Sequence, residues 1–142
     1  MIKDYEKYHG IALTRFVHNL GEIKVVSNIN QDNSSYIIND YLGIYIKFSK
    51  KRITPWQFTF NTDHNKCVKT LAQICDKGYV VFVCNDDGIC CIPFSDYFQL
   101  ISFIDEQQTK SISISRFKNE KYHVSGTDGK LKQKISDGFI EP

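Results

Sequence analysis

A lysine on an alternating strand is the first residue of this sequence placed to do chemistry. In Ile44-Tyr45-Ile46-Lys47-Phe48-Ser49 apolar and polar residues alternate, so Ile44, Ile46 and Phe48 share one face of a strand and Tyr45, Lys47 and Ser49 the other. An ammonium on that polar face can neutralise a phosphate or lower the pKa of a nucleophile. With the hairpin turn set at residues 40–43, Asn39 faces Ile44, Ile38 faces Tyr45 and Tyr36 faces Lys47, which puts Lys47 beside two tyrosines. The plainer reading is a surface lysine packed along a tyrosine ring. Lys50, Lys51 and Arg52 follow, and Ile53-Thr54-Pro55 leads into Trp56-Gln57-Phe58. Four cations around an aromatic bend can grip a nucleic-acid backbone while Trp56 stacks on a base. Trp56, Phe58 and Phe60 also fall at strand spacing, which reads more simply as a core face. Arg116 ends a strand carrying Ser111, Ser113 and Ser115, a row that can line a polar groove or form the wet side of an edge strand.

The other reactive types are scattered, and each has a structural reading beside the chemical one. His9 sits at the centre of an apolar helical face and needs a buried partner; a core histidine bonded to a backbone carbonyl competes with a base or ligand at the sheet surface. His64 and Cys67 are three apart on a helix, half a zinc site, but no second pair follows at zinc-finger spacing. Asp86 and Asp87 suit acid–base work or metal binding, yet Asn85-Asp86-Asp87-Gly88 is also the composition of a tight hairpin turn. Gly126-Thr127-Asp128-Gly129-Lys130 lacks Walker spacing and a following helix, which argues against a phosphate loop.

These residues need elements to position them. Helical spacing puts Tyr5, Tyr8, His9, Ala12, Leu13, Phe16, Val17 and Leu20 on one side of residues 3–20, an amphipathic helix that Gly21 ends. The period then changes to two. Strands are predicted over 22–29, 35–39 and 44–49, with turn clusters at 31–34 and 40–43, and a fourth over 56–60 after the bend at Pro55. Thr62 caps a second helix over 63–77, whose apolar side carries Cys67, Val68, Leu71, Ile74 and Cys75, with Lys77 and Gly78 closing it. Val80, Val81, Phe82 and Val83 are consecutive, the mark of a strand covered on both faces. A hairpin to 89–92, a short helix over 97–104 and a strand pair at 111–116 and 122–125 complete the pattern, and residues 126–142 are polar and expected to be loosely held. No repeat or linker divides the chain, so residues 1–142 read as one α+β domain. Its sheet is mixed and mainly antiparallel, with an N-terminal helix and a crossover helix that joins one right-handed parallel pair.

That order over residues 3–84 resembles the core of the PD-(D/E)XK nuclease-like fold. The resemblance implies a restriction-endonuclease-like core and a metal-dependent phosphodiesterase site. In that site an acid from the first helix region, an Asp opening the second strand and an acid-x-Lys on the third surround a divalent cation. The matching positions are Glu22, Asp32 and Tyr45-Ile46-Lys47. By resemblance Lys47, Asp32 and Glu22 are the catalytic set, and Glu22 and Asp32 hold one Mg²⁺ with waters completing the shell. The chain departs from the family at Tyr45, where a carboxylate belongs, because a phenol is a poor ligand for a hard cation. The implied metal site is degenerate or weak.

Composition bounds these readings. With 142 residues, 18 Lys+Arg and 16 Asp+Glu, the formal charge is +2, which excludes a histone-like or polyanionic protein. No apolar run approaches the roughly 18–20 residues that cross a bilayer, and the acidic start lacks an apolar leader region, so no membrane role is expected. Five cysteines fit buried free thiols in a reducing compartment, hence a cytoplasmic location. Two functions remain. One is a nuclease-like domain recognising DNA or another nucleic acid through Lys47, Lys50, Lys51, Arg52, Trp56 and Arg116. The other is a non-enzymatic protein-interaction module, an inhibitor or assembly subunit, suggested by near-neutral charge and many tyrosines.

Overall fold

The computed structural model describes residues 1–27, 33–102 and 109–139. Among these, α1 (Asp4–Leu20) is followed by β1 (Val25–Ser27), β2 (Ser35–Ile38), β3 (Leu42–Ser49), β4 (Trp56–Phe60), α2 (Thr62–Ile74), β5 (Lys77–Cys84), β6 (Ile89–Pro93), α3 (Phe94–Leu100), β7 (Lys110–Ser115), β8 (His123–Gly126) and β9 (Gly129–Lys130). The class is α+β, as the periodicity predicts. The larger sheet has the order β1-β2-β3-β5-β6, and its β3–β5 pair is parallel. β5 is interior, between β3 and β6, and it is apolar on both sides: Val80 and Phe82 face one core, Val81 and Val83 the other. On the second face α1 lays Tyr8, Ala12 and Phe16 over Ile44, Ile46, Val81 and Val83.

The expected single sheet is in fact two. β4 leaves β3 and pairs with β7 in a second sheet of order β4-β7-β8-β9. Its alternation explains the move: Trp56, Phe58 and Phe60 are buried while Gln57 and Thr59 are exposed, the pattern of an antiparallel strand with one wet face. The place beside β3 goes to β5, which can be covered on both sides. α2 is N-capped by Asn61 rather than Thr62, and it stops at Ile74. Lys77 and Gly78 do not close it; they pair with Leu42 and Gly43 of β3. Gly78 admits no side chain there, since a Cβ would meet the Phe94 ring at 1.9 Å.

The β2–β3 register also differs from expectation. Asn39 and Asp40 take positive φ (54° and 65°) in a tight turn, so Leu42 and Gly43 belong to the strand and Tyr36 pairs with Ile44, not Lys47. A shift of three residues reverses faces. Tyr36 therefore belongs to the α1 side, where its hydroxyl lies 2.8 Å from His9 Nδ1. His9 is buried as predicted, and one of its ring partners is the Tyr36 hydroxyl.

Residues 126–139 are not loose. Tyr122 and Ile135 form a bridge, as do Cys90 and Gly138. Asp137 accepts the Ile89 N–H at 2.9 Å and pairs with Arg15 at 3.1 Å, and Phe139 enters the α1 core. One aromatic anchor and a few backbone bonds suffice where average polarity suggests solvent.

Candidate functional site

β3 carries the cleft that the sequence points toward. It pairs with β5 along its whole length, whereas β2 pairing in the described residues ends at Ser35–Tyr45, with Ser34 O accepting from the Ile46 N–H at 2.9 Å. Past that point a cleft of about 660 Å³ opens between the end of β3, the start of β2, the first turn of α1 and the first turn of α2. Its walls include Lys47 and Tyr45 from β3, Asp63, His64 and Cys67 from α2, Tyr5 from α1, and Asn33 and Ser34. The volume falls within the range of small-ligand sites.

Alternation along β3 turns Lys47 toward α2. Its Nζ donates to Thr59 O at 2.7 Å, lies 3.5 Å from His64 Nδ1 and stands 4.9 Å from the Phe60 ring centroid. His64 is held by local helix chemistry. Asn61 Oδ1 accepts the His64 N–H at 2.9 Å, and His64 Nδ1 accepts the Asn61 N–H at 3.3 Å, a capping box with histidine in the acceptor's place. Nδ1 thus serves as an acceptor, which puts the proton of the neutral ring on Nε2. Asp63 adds a carboxylate at the helix N-terminus, and Cys67 follows one turn later. The cleft combines a fixed ammonium, an oriented imidazole, a carboxylate and a phenol, a set able to bind an anion and move a proton.

The residues named from sequence divide sharply. Lys47 lies in the cleft. Glu22 does not: its carbonyl accepts from Asn39 at the β2–β3 turn, where Ile38 pairs with Leu42, and Lys47 is five residues further along β3, roughly 16 Å at about 3.3 Å per residue. Glu22 is exposed at the far end of the sheet, so it cannot join Lys47 in one metal shell. Asp32 lies outside the described residues. Tyr45 is 1% exposed, its ring centroid 6.5 Å from that of His64. Among the described residues no three His, Cys, Asp or Glu side chains come together as metal ligands, and the two-carboxylate Mg²⁺ shell finds no support in them.

The basic bend is partly retained. Lys50 pairs with Asp4 at 3.0 Å, a hydrogen bond that raises the lysine pKa, while Lys51 and Arg52 are exposed. Trp56 is withdrawn from any base. It is 2% exposed and its Nε1 donates to Lys51 O at 2.8 Å, so it is core. Arg116 is likewise structural: it pairs with Asp87 at 2.7 Å, donates to Asp87 O at 2.8 Å and lies 4.4 Å from the Tyr122 centroid. Asp87 also accepts from the Tyr122 hydroxyl at 2.7 Å, which fixes the 85–88 turn as scaffold. Burial, then this bond, pushes the Tyr122 pKa up.

Asp63 and the pairing of His64 with Lys47 are what sequence reasoning missed. Their signal was present in Asn61-Thr62-Asp63-His64 as a helix start; that this start faces the end of β3 depends on the crossover. No helix among the described residues is long and apolar enough to cross a membrane. No family model, no curated protein and no solved structure matches the chain.

Proposed function

We propose that the chain is a nucleic-acid-associated domain with a nuclease-like core, whose Lys47 cleft receives a backbone phosphate and whose metal site is degenerate. The observation that carries this reading is Lys47 itself, an ammonium at the end of β3 beside the N-terminal turn of α2, with Lys50, Lys51 and Arg52 continuing along the same chain. Lysine acts on phosphate as a point charge, and a helix N-terminus favours an anion beside it. The element order is compatible with the reading: a helix, three antiparallel strands and, after a fourth strand that belongs to the second sheet, a helix and a strand parallel to the third. Degeneracy rests on buried Tyr45 at the carboxylate position and on Glu22 at the opposite end of β3. The retained function is then binding, with positioning by charge rather than metal-assisted hydrolysis.

The test measures binding and cleavage of labelled single- and double-stranded DNA and RNA at two salt concentrations, with Mg²⁺, Mn²⁺ or EDTA. Wild-type protein is expected to bind in a salt-sensitive way without cutting. Lys47→Ala should weaken binding across sequences and lower the salt slope by about one, and Lys47→Arg should restore most of it. An unchanged slope and affinity in Lys47→Ala would remove the cleft from the function. Metal-dependent cleavage would overturn degeneracy.

A further inference from the structure

With Trp56 in the core, the cations of residues 50–52 have a different aromatic neighbour. Beyond the Trp56–Ile114 pair the two segments stay in contact, since the Arg116 N–H donates to Thr54 Oγ1 at 3.0 Å. Ile53 and Phe117 are the next residues outward from that contact, and Arg52 and Lys118 follow them in the chain. Phe117 is 66% exposed and Ile53 70% exposed. Phe117 opens a turn closed by Glu120 N–H to Phe117 O at 3.0 Å, with Asn119 at φ 66°. The backbone, not ring packing, thus fixes its place. Lys51, Arg52 and Lys118, on the same two segments, are exposed and make no ion pair among the described residues. An exposed aromatic on segments that carry unpaired cations suits an anionic partner that presents flat apolar faces.

Building on the nucleic-acid reading of the cleft, we infer that this surface binds single-stranded nucleic acid, with Phe117 stacking on an unpaired base while Lys51, Arg52 and Lys118 meet the flanking phosphates. Strand selectivity follows from what each form exposes. A duplex offers phosphates and base edges, whereas a single strand offers base faces to a ring. The surface adjoins the cleft. Lys50 pairs with Asp4, whose neighbour Tyr5 lines that cleft, and the six steps from Lys47 to Ile53 span at most about 20 Å. One short strand can therefore touch both. An anionic bilayer is the competing class, but two apolar side chains bury too little surface for stable interfacial anchoring, while one ring suffices for a stack.

The experiment is fluorescence anisotropy with labelled oligo-dT and oligo-rU of about 12 nucleotides, within the usual site size, beside a duplex of equal length and phosphatidylserine vesicles. Single strands are expected to bind more tightly than the duplex. Phe117→Ala and Phe117→Leu should weaken single-strand binding by about 5- to 100-fold and leave duplex binding unchanged, and Phe117→Tyr should stay within about twofold of wild type. Because the ring is exposed, the variants should fold, which melting curves check. Single-strand binding unchanged in Phe117→Ala but weakened in Lys47→Ala overturns the stacking surface and leaves the cleft intact. Failure of wild-type protein to bind any oligonucleotide at low salt overturns both, and vesicle binding lost in Phe117→Ala would then assign the surface to a membrane.

Discussion

Replacing Phe139 by alanine tests whether the C-terminal segment belongs to the core. The ring is 4% exposed, stacked on Phe16 with centroids 4.2 Å apart and edge-on to Tyr79 at 5.3 Å. Its carbonyl accepts from Asn19 Nδ2 at 2.8 Å. A buried aromatic side chain withdraws about 150–250 Å² from water, worth roughly 4–6 kcal/mol at about 25 cal/mol per Å². The unfolded chain already hides some of that area, and alanine keeps the Cβ. A segment outside the named strands also relaxes into the space more easily than a central strand, which places the cost near 3 kcal/mol, the low end for Phe→Ala. At about 3–4 °C per kcal/mol for a domain of this size, Tm should fall by roughly 10 °C. Thermal unfolding followed by circular dichroism reads this directly, with exposed Phe117→Ala as the control expected to melt within about 2 °C of wild type. If Phe139→Ala also stays within about 3 °C, the segment contributes no core packing and the reasoning fails.

Two further outcomes follow from charge and burial. Burial pushes the Cys84, Cys90, Cys91 and Cys75 thiols up, and Cys67 is the most exposed of the five. Iodoacetamide on the native protein should therefore modify Cys67 first, with the rest following only as the chain opens; equal labelling of all five in peptide maps would contradict the packing. A hydrogen bond from Lys110, at 2.6 Å, and another from the Ser102 N–H, at 2.7 Å, hold the Asp128 carboxyl below its ordinary value. Its stabilisation is thus present above the unfolded pKa of about 3.9 and lost as pH falls through the folded value. Asp128→Asn should lower the urea midpoint near pH 7, and the gap from wild type should close below about pH 4. A gap of the same size at about pH 3 would refute the assignment.

Local pattern revealed which side chains share a face, and it failed where two long-range partners competed. The 56–60 strand and the division of β3 into Ile44, Ile46 and Phe48 against Tyr45 and Lys47 follow from alternation alone, although the second side is core at Tyr45 rather than wet. The β2–β3 register does not, because Leu42 and Gly43 suit a turn as well as a strand until Lys77 and Gly78 arrive beside them. Trp56 shows the same division. Its spacing with Phe58 and Phe60 marks a core face, but nothing nearby says that β7 rather than β3 lies alongside. Phe139 stands outside any periodic segment, so windowed hydropathy could not see it.

The same logic separates the two halves of the candidate site. Lys47 is legible because charge at a strand position is a local fact, whereas its neighbours His64 and Asp63 arrive through the crossover from β4 to α2. Tyr45 marks how far a catalytic analogy extends. A carboxylate at that buried position would need a cation or hydrogen-bond donors to offset its desolvation, while a phenol packs there uncharged against the face carrying Val80 and Phe82. On the proposed reading, tyrosine in place of the acid favours folding and withholds the charged oxygen a hard cation needs. On that reading the cleft keeps the ammonium that attracts phosphate without the carboxylate that would position metal-activated water, which is why binding rather than hydrolysis is proposed for it.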